Sequence, residues 1–485
     1  MKTILVTGAT GYVGGRLIPK LVDLGYNVRV LVRNFERLKN KSWYNKVEVF
    51  NGDVLIKKSL SGLFKNVDTA YYLIHSMEGY KDFSETDLIA AKNFSEQSKV
   101  EGLKKIIYLG GLADETSNLS NHLKSRLETG KVLSKSGVDV TEFRANVIVG
   151  SGSLSFEMIR NLTERIPIMI CPYWVYTKTQ PIAIGNVLDY LIQSLDIKIP
   201  KNKVIEIGGK NVFTYGDMIK QYAQSRNLIR FLIPVPVLTP KLSSYWVHWT
   251  TPLSANITRP LVEGLKNESI VKSNDALKYF PDIKLLSYKE AVELAISRFN
   301  EKSVETSWSD SLTSSKGNDS KVAAYIKEGM IIETRRININ SNSSNVFEYI
   351  CSIGGEKGWL YADFLWIVRG YIDLLFGGVG LRRGRRHPFK LKQGDALDFW
   401  RVEKITKNKL LRFKAEMKLP GQAWLEYKIL NKKNSCQLIQ KAYFMPTGLL
   451  GLIYWYTLYP LHKIIFRGLV RAIKKSVESH EFYKD

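Results

Sequence analysis

Short apolar runs at residues 3–6, 28–32, 47–50, 69–74, 105–109 and 138–143 alternate with stretches whose apolar positions recur at helical spacing. Runs this short, separated by about one helix of chain, predict parallel strands joined by crossover helices. The expected fold class is therefore α/β, a doubly wound parallel sheet. Between residues 182 and 299 the alternation loosens and Pro234, Pro236, Pro240, Pro252 and Pro260 punctuate it, which predicts a small lobe closing a cleft over the sheet. Ser, Thr, Asn and Asp dominate residues 303–320; they bury little apolar area and predict a linker. Beyond it the pattern changes to long alternating strands at 330–338, 396–406, 410–419, 423–430 and 435–444, then one helix over 448–478. This predicts a second domain, 321–485, of α+β type, with a curved sheet gripping a terminal helix. The first domain, 1–302, includes the small lobe.

Composition narrows the picture. The 485 residues are 45% hydrophobic and 11% aromatic, which suits globular domains. The formal charge of +25 is uneven: residues 321–485 hold 29 Lys and Arg against 14 Asp and Glu, a net +15. Such a surface favours anionic partners, among them a membrane surface or a phosphorylated ligand. Nucleic acid is disfavoured, because no recognisable reading module accompanies the charge. Cys171, Cys351 and Cys436 are odd in number and widely spaced, so a reducing cytoplasm is the expected compartment, with a peripheral place on the inner membrane face as its variant. No apolar leader precedes the first strand, which predicts no secretory export. The six scattered histidines give no metal-ligand spacing, so no metal is expected.

The first strand runs directly into Gly8-Ala9-Thr10-Gly11-Tyr12-Val13-Gly14 and then a helical stretch. Glycines at a strand-to-helix turn let backbone N–H groups and the helix dipole meet a pyrophosphate. Gly8, Thr10, Gly11, Tyr12, Val13 and Gly14 are thus candidate cofactor contacts. Arg33 ends the second strand with Arg37 about one turn on, where a base favours a 2′-phosphate and selects NADP over NAD. Asp53 and Val54 follow the third strand and suit the adenine, a carboxylate beside an apolar wall. His75 follows the fourth strand, where the inner ribose and nicotinamide would pass.

Together these landmarks resemble the short-chain dehydrogenase/reductase superfamily in its extended and atypical NAD(P)-binding branches, over residues 1–300. Arg144-Ala145-Asn146-Val147-Ile148-Val149-Gly150 is similar to that family's Arg-x-x-Asn-x-x-x-Gly segment, and Gln180-Pro181-Ile182 to the strand entering its substrate lobe. The resemblance implies a Tyr-x-x-x-Lys pair for proton transfer. Here His122 stands at the tyrosine position and Arg126 at the lysine position, and the fifth strand ends Tyr108-Leu109-Gly110-Gly111 without the expected serine. Two expectations follow. Either His122 donates the proton, with Arg126 lowering its pKa and binding a ribose or substrate oxygen, or the chain is a catalytically silent NADP-binding sensor or scaffold. For the enzyme reading, the substrate class is an apolar or phosphorylated carbonyl or enone compound.

The two-part layout resembles proteins that fuse an atypical dehydrogenase/reductase to a START or polyketide-cyclase-like helix-grip domain. Residues 345–350 would be its first short helix and 394–400 would lead into a long strand. The resemblance implies an apolar, lipid-like ligand, with Trp359, Tyr361, Phe364, Trp366, Trp400, Trp424 and Tyr443 as candidate lining. Arg382, Arg383, Arg385 and Arg386 in a glycine-bearing turn suit a phosphate or headgroup. Residues 449–461 are apolar, too short to span a bilayer and interrupted by Pro460.

Overall fold

The computed structural model describes residues 2–35, 38, 41–75, 83–114, 119–235, 262–301, 322–327, 329–354, 357–380, 391–432 and 435–479. The chain divides into two compact units, Met1–Ser315 and Lys316–Asp485. The linker expected at 303–320, Arg37, the four arginines at 382–386, and Pro236, Pro240, Pro252 and Pro260 lie outside the described residues.

In the first unit the order is β1 (Thr3–Val6), α1 (Gly14–Asp23), β2 (Asn27–Val32), β3 (Glu48–Asn51), β4 (Thr69–Tyr72), α2 (Phe83–Val100), β5 (Lys105–Gly111), α3 (Asn121–Ser134) and β6 (Asp139–Ala145). There follow β7 (Ile148–Val149), α4 (Leu154–Arg165), β8 (Ile168–Pro172), β9 (Lys178–Thr179), β10 (Ile182–Ala183), α5 (Ile184–Gln193), β11 (Lys203–Glu206), β12 (Phe213–Thr214), α6 (Tyr215–Ser225), β13 (Phe231–Val235), α7 (Asp275–Tyr279) and α8 (Tyr288–Glu301). Seven strands form one parallel sheet in the order β11-β6-β5-β4-β1-β2-β3. The strands read as continuous apolar runs because both faces are covered. Ile4 and Val6 of β1 enter the core shared with Leu17, Ile18 and Leu21 of α1, while Leu5 enters the opposite core with Tyr72, Phe94 and Tyr108. Strand order reverses at β1, whose neighbours are β2 and β4. The crevice at the carboxyl ends of these strands is the ligand position of such sheets. Three two-stranded pairs lie outside this sheet, β7 with β10, β9 with β12 and β8 with β13; β7, β8 and β9 precede the 182–299 stretch expected to form the small lobe, and β11, within that stretch, is an edge strand of the main sheet.

The second unit contains β14 (Val322–Lys327), β15 (Met330–Ile339), α9 (Ser343–Cys351), α10 (Asp363–Leu375), β16 (Ala396–Leu397), β17 (Trp400–Thr406), β18 (Leu410–Ala415), β19 (Gly421–Lys432), β20 (Ser435–Pro446) and α11 (Gly448–Glu478). Its sheet is antiparallel, ordered β14-β15-β20-β19-β18-β17-β16, and α11 packs on β15 and β20. The single strand expected over 396–406 is broken at Asp398, which turns the chain at φ +50° and accepts a 2.8 Å hydrogen bond from Trp359 Nε1. Helix α11 continues through Pro460 instead of being interrupted there.

The aromatic side chains grouped by sequence separate in space. Trp359, Trp366 and Trp400 join the core between sheet and helices, whereas Trp424 and Tyr443 are outside that cluster, and Tyr361 and Phe364 are exposed. Strand alternation explains Trp424: its neighbour Leu425 faces that core, so it faces the other way. A buried ion pair also occupies the unit. Glu333 pairs with Arg335 on β15, and the Arg335 guanidinium lies 5.5 Å from the Phe466 ring of α11. Burial raises the Glu333 pKa and lowers that of Arg335, and nearby His462 is driven down to about 4 by burial and then by Arg335.

Candidate functional site

The turn after β1 is held by backbone geometry. Thr7 Oγ1 donates to the Tyr71 carbonyl at 2.9 Å and accepts from the Leu73 N–H at 3.1 Å, fixing β1 against β4. Gly8 sits at φ +69°, and a Cβ there would lie 2.5 Å from the Leu73 carbonyl oxygen. A Cβ on Gly14 would lie 2.4 Å from the Gly8 carbonyl oxygen. Side chains at either place would push the turn open. Helix α1 then starts without a side-chain cap at Val13, and the Gly15 and Arg16 N–H groups donate to the Gly11 and Val13 carbonyls; the positive end of such a helix favours an anion. Thr10, Gly11, Tyr12 and Val13 are all partly exposed around it. This cradle fits the pyrophosphate of a dinucleotide.

Other parts of the turn were silent in the sequence. Arg16, almost fully buried in α1, donates from Nη2 to the Ser151 carbonyl at 2.7 Å and lies 4.7 Å over the Tyr12 ring. Gly150, which closes the Arg144 to Gly150 segment, leaves space for that ring: a Cβ there would be 2.5 Å from the Tyr12 hydroxyl. Within the same segment Arg144 Nε pairs with Glu142 at 2.7 Å, and Asn146 Nδ2 donates to Ser269 Oγ. The segment thereby joins the sheet to the small lobe.

Arg33 is exposed directly after β2. Asp53 is partly buried, with Oδ1 accepting from the Leu55 N–H at 3.0 Å and its own N–H donating to Ser59 Oγ at 2.9 Å. These bonds fix a short turn directly after β3. Val54 belongs to the core with Leu31 and Phe64, and its carbonyl accepts from Asn93 Nδ2 at 2.9 Å.

At the carboxyl ends of β4 and β5 the structure brings His75 and His122 together. His75 Nε2 is 3.1 Å from His122 Nδ1, and His75 Nδ1 is 2.9 Å from Asp87 Oδ2 on α2. Ser125 Oγ donates to the same carboxylate oxygen at 3.2 Å. Helix α3 presents His122 because Ser120 caps it by accepting from the Leu123 N–H. Burial first, then the charges of His75 and Arg126, hold His122 well below the usual imidazole pKa. His75 is also lowered by burial, against the opposing pull of its Asp87 bond. With both rings neutral, Asp87 fixes the tautomer: His75 donates through Nδ1, so Nε2 accepts from His122 Nδ1–H, and His122 Nε2 presents a lone pair. Arg126 reaches the same sheet end with its guanidinium directed back, Nη2 donating to the Leu109 carbonyl and the group 5.3 Å over the Tyr108 ring. Its contribution to the low His122 pKa ranks behind burial and His75. Nothing in the sequence spacing links Asp87 to either histidine; only the packing of α2 against α3 does.

Residues 1–154 match the model of the NmrA-like family. Over these residues the first unit is NmrA-like, with the Rossmann fold of the atypical short-chain dehydrogenases/reductases. The NmrA-like domain has curated relatives at low identity. The chain is 25% identical over 226 residues to photosystem II assembly factor Ycf39 of Cyanophora paradoxa, covering 45% of this chain and 67% of that protein. It is 25% identical over 192 residues to ceramide reductase of Caulobacter vibrioides, covering 38% of this chain and 57% of that enzyme. Among solved structures, a nucleoside-diphosphate-sugar epimerase of Staphylococcus aureus superposes with a TM-score of 0.50 at 18% identity, over 60% of this chain and 100% of that one. The triphenylmethane reductase of Citrobacter sp., solved with NADP(H), superposes with 0.50 at 20% identity, over 60% and 99%. These likenesses show the fold. Residues 329–469 match a family described as a protein of unknown function, DUF2867.

Among the described residues no cluster of His, Cys, Asp and Glu could hold a metal. No helix among them is long and apolar enough to cross a membrane.

Proposed function

We propose that the NmrA-like domain is an NADPH-preferring oxidoreductase in which the His122–His75–Asp87 chain handles the proton. The reading is carried by that chain, a continuous line of hydrogen bonds from a buried carboxylate to an imidazole at the carboxyl ends of β4 and β5. The turn around Gly8, Gly11 and Gly14 would hold the pyrophosphate, Arg33 the 2′-phosphate, and Asp53 with Val54 the adenine. When bound, the nicotinamide supplies or accepts hydride. His122 Nε2 then accepts a proton from a hydroxyl substrate, or returns one to a carbonyl or enone oxygen. A proton added there is shared with His75, and the resulting charge is balanced by Asp87. His122 thus fills the role of the absent Tyr-x-x-x-Lys pair. Arg126 supports the arrangement from the Leu109 carbonyl and stays a candidate for a substrate oxygen.

The alternative is a silent nucleotide-binding scaffold, favoured by one observation: a curated relative is named as an assembly factor. Stopped-flow NADPH oxidation against quinones, enones and keto lipids separates the two. Turnover that His122→Ala abolishes while NADPH still binds supports the enzyme. Tight NADPH binding without turnover on any of them supports the scaffold.

A further inference from the structure

The second unit leaves apolar side chains of two helices in solvent. On α10, Phe364, Val368, Tyr371 and Leu375 are exposed at one-turn spacing, Leu375 at 84%. On α11, Leu450, Ile453 and Tyr456 do the same, Leu450 at 75%. The two helices are neighbours: Trp366 of α10 meets Phe466 of α11 edge to face at 6.1 Å, and a Cβ on Gly468 would lie 2.2 Å from the Tyr361 ring just before α10. Single exposed apolar residues are ordinary, but two adjacent stripes are not.

The chemistry of the stripe on α11 changes along its length. Its outward line passes from apolar residues in the first turns to Lys463, Arg467, Arg471 and Lys475, all exposed. No carboxylate occurs in α11 before Glu478, which accepts from the Asn340 N–H at 2.8 Å. On α10, Asp373 is buried and accepts from the N–H groups of Lys418 and Gly380, and Asp363 accepts from the Trp359 N–H at the helix start. Exposed apolar area beside a line of positive charge matches a surface that is apolar below and anionic above. A bilayer with acidic headgroups has that layering, and aromatic residues such as Phe364, Tyr371 and Tyr456 suit its interface. A second copy of this chain does not match, since both copies bring the net +15 of residues 321–485.

We infer that the antiparallel domain seats on an anionic lipid bilayer through α10 and the first half of α11, with the cations of α11 on the headgroups. Binding is interfacial, since no described helix can span. The test floats full-length protein with vesicles of phosphatidylcholine alone or of phosphatidylcholine mixed with phosphatidylglycerol. The protein is expected to float with the mixed vesicles, and raised salt lowers the recovery. Leu450→Glu with Ile453→Glu, and separately Tyr371→Glu with Leu375→Glu, are expected to weaken partitioning at least about tenfold. Each of Lys463→Glu and Arg467→Glu is expected to weaken it by about fivefold or more. Unchanged melting temperatures establish that these exposed substitutions leave the fold intact. Flotation with neither vesicle, or full recovery of both paired variants, overturns the inference. So does a dimer in sedimentation velocity that the paired variants dissolve while vesicle binding is absent.

Discussion

The two units differ in what their sheets bury. In the parallel unit the strands bury apolar residues on both faces, and the polar groups packed among them include ion pairs, such as Arg160 with Glu157, as well as the partly buried His122–His75–Asp87 line. The antiparallel unit buries the charges of Glu333 and Arg335 and leaves Leu375 and Leu450 in solvent. In a chain of hydrogen bonds each member orients the next, which is what the proposed proton transfer needs. A buried ion pair beneath an apolar exterior serves stability poorly, so this unit has more to gain from covering its outside.

The largest effect expected is on turnover in the parallel unit. His122→Ala should lower the rate of substrate reduction by about 10²- to 10⁴-fold, the usual contribution of a positioned acid or base, with NADPH affinity unchanged by fluorescence titration. Asp87→Asn is the subtler variant: it retains the nucleotide but alters the pH profile. Because burial keeps His122 neutral at neutral pH, its protonated form is scarce there, and reduction in the wild type should speed up steadily as pH is lowered. A flat profile from pH 5 to 8 would remove His122 from the chemistry.

Next comes the buried pair. Glu333→Gln leaves Arg335 without its counter-charge and should cost about 3–5 kcal/mol, seen as an early melting step of the antiparallel unit. If NADPH binding survives that step, the units are independent; if it is lost with it, they are not. Gly14→Ala sets a Cβ against the Gly8 carbonyl, an overpacking of about 1–3 kcal/mol, and should weaken both NADPH and NADH without touching vesicle binding.

A third contrast is acid stability. His462 has a folded pKa of about 4 against an ordinary 6.5, so the unfolded chain takes up the proton first as pH drops. The stability of the antiparallel unit should hold above pH 6.5 and decline from there towards 4, by at most about 1.4 kcal/mol per pH unit. His462→Leu should flatten that decline in urea titrations. The smallest effect is selective: Arg33→Asp should weaken NADPH about tenfold more than NADH, about 1.4 kcal/mol. Equal weakening would show that Arg33 does not read the 2′-phosphate.

The parallel unit was readable in sequence because its signals are local. The glycine turn spans residues 8–14, and apolar runs buried on both faces stay apolar throughout. His122 was recognisable by the position it takes over in α3. Asp87 was not, since it reaches His75 only through the packing of α2, and Arg16 looked like any helix arginine until Ser151 came within 2.7 Å. In the antiparallel unit the strand pattern was legible but facing was not. Trp424, Tyr443, Tyr361 and Phe364 carry the same apolar signal as Trp359, and only pleat and helix phase sort them.

The Arg16 contact also bears on how the crevice moves. One guanidinium spans the floor of the nucleotide turn and the backbone that leads out of β7, so these two parts travel as one piece. Gly152, at φ +81°, follows directly and turns the chain towards α4. A change at Arg16 would therefore be felt in two places at once, at the Tyr12 ring of the glycine turn and at the Ser151 backbone.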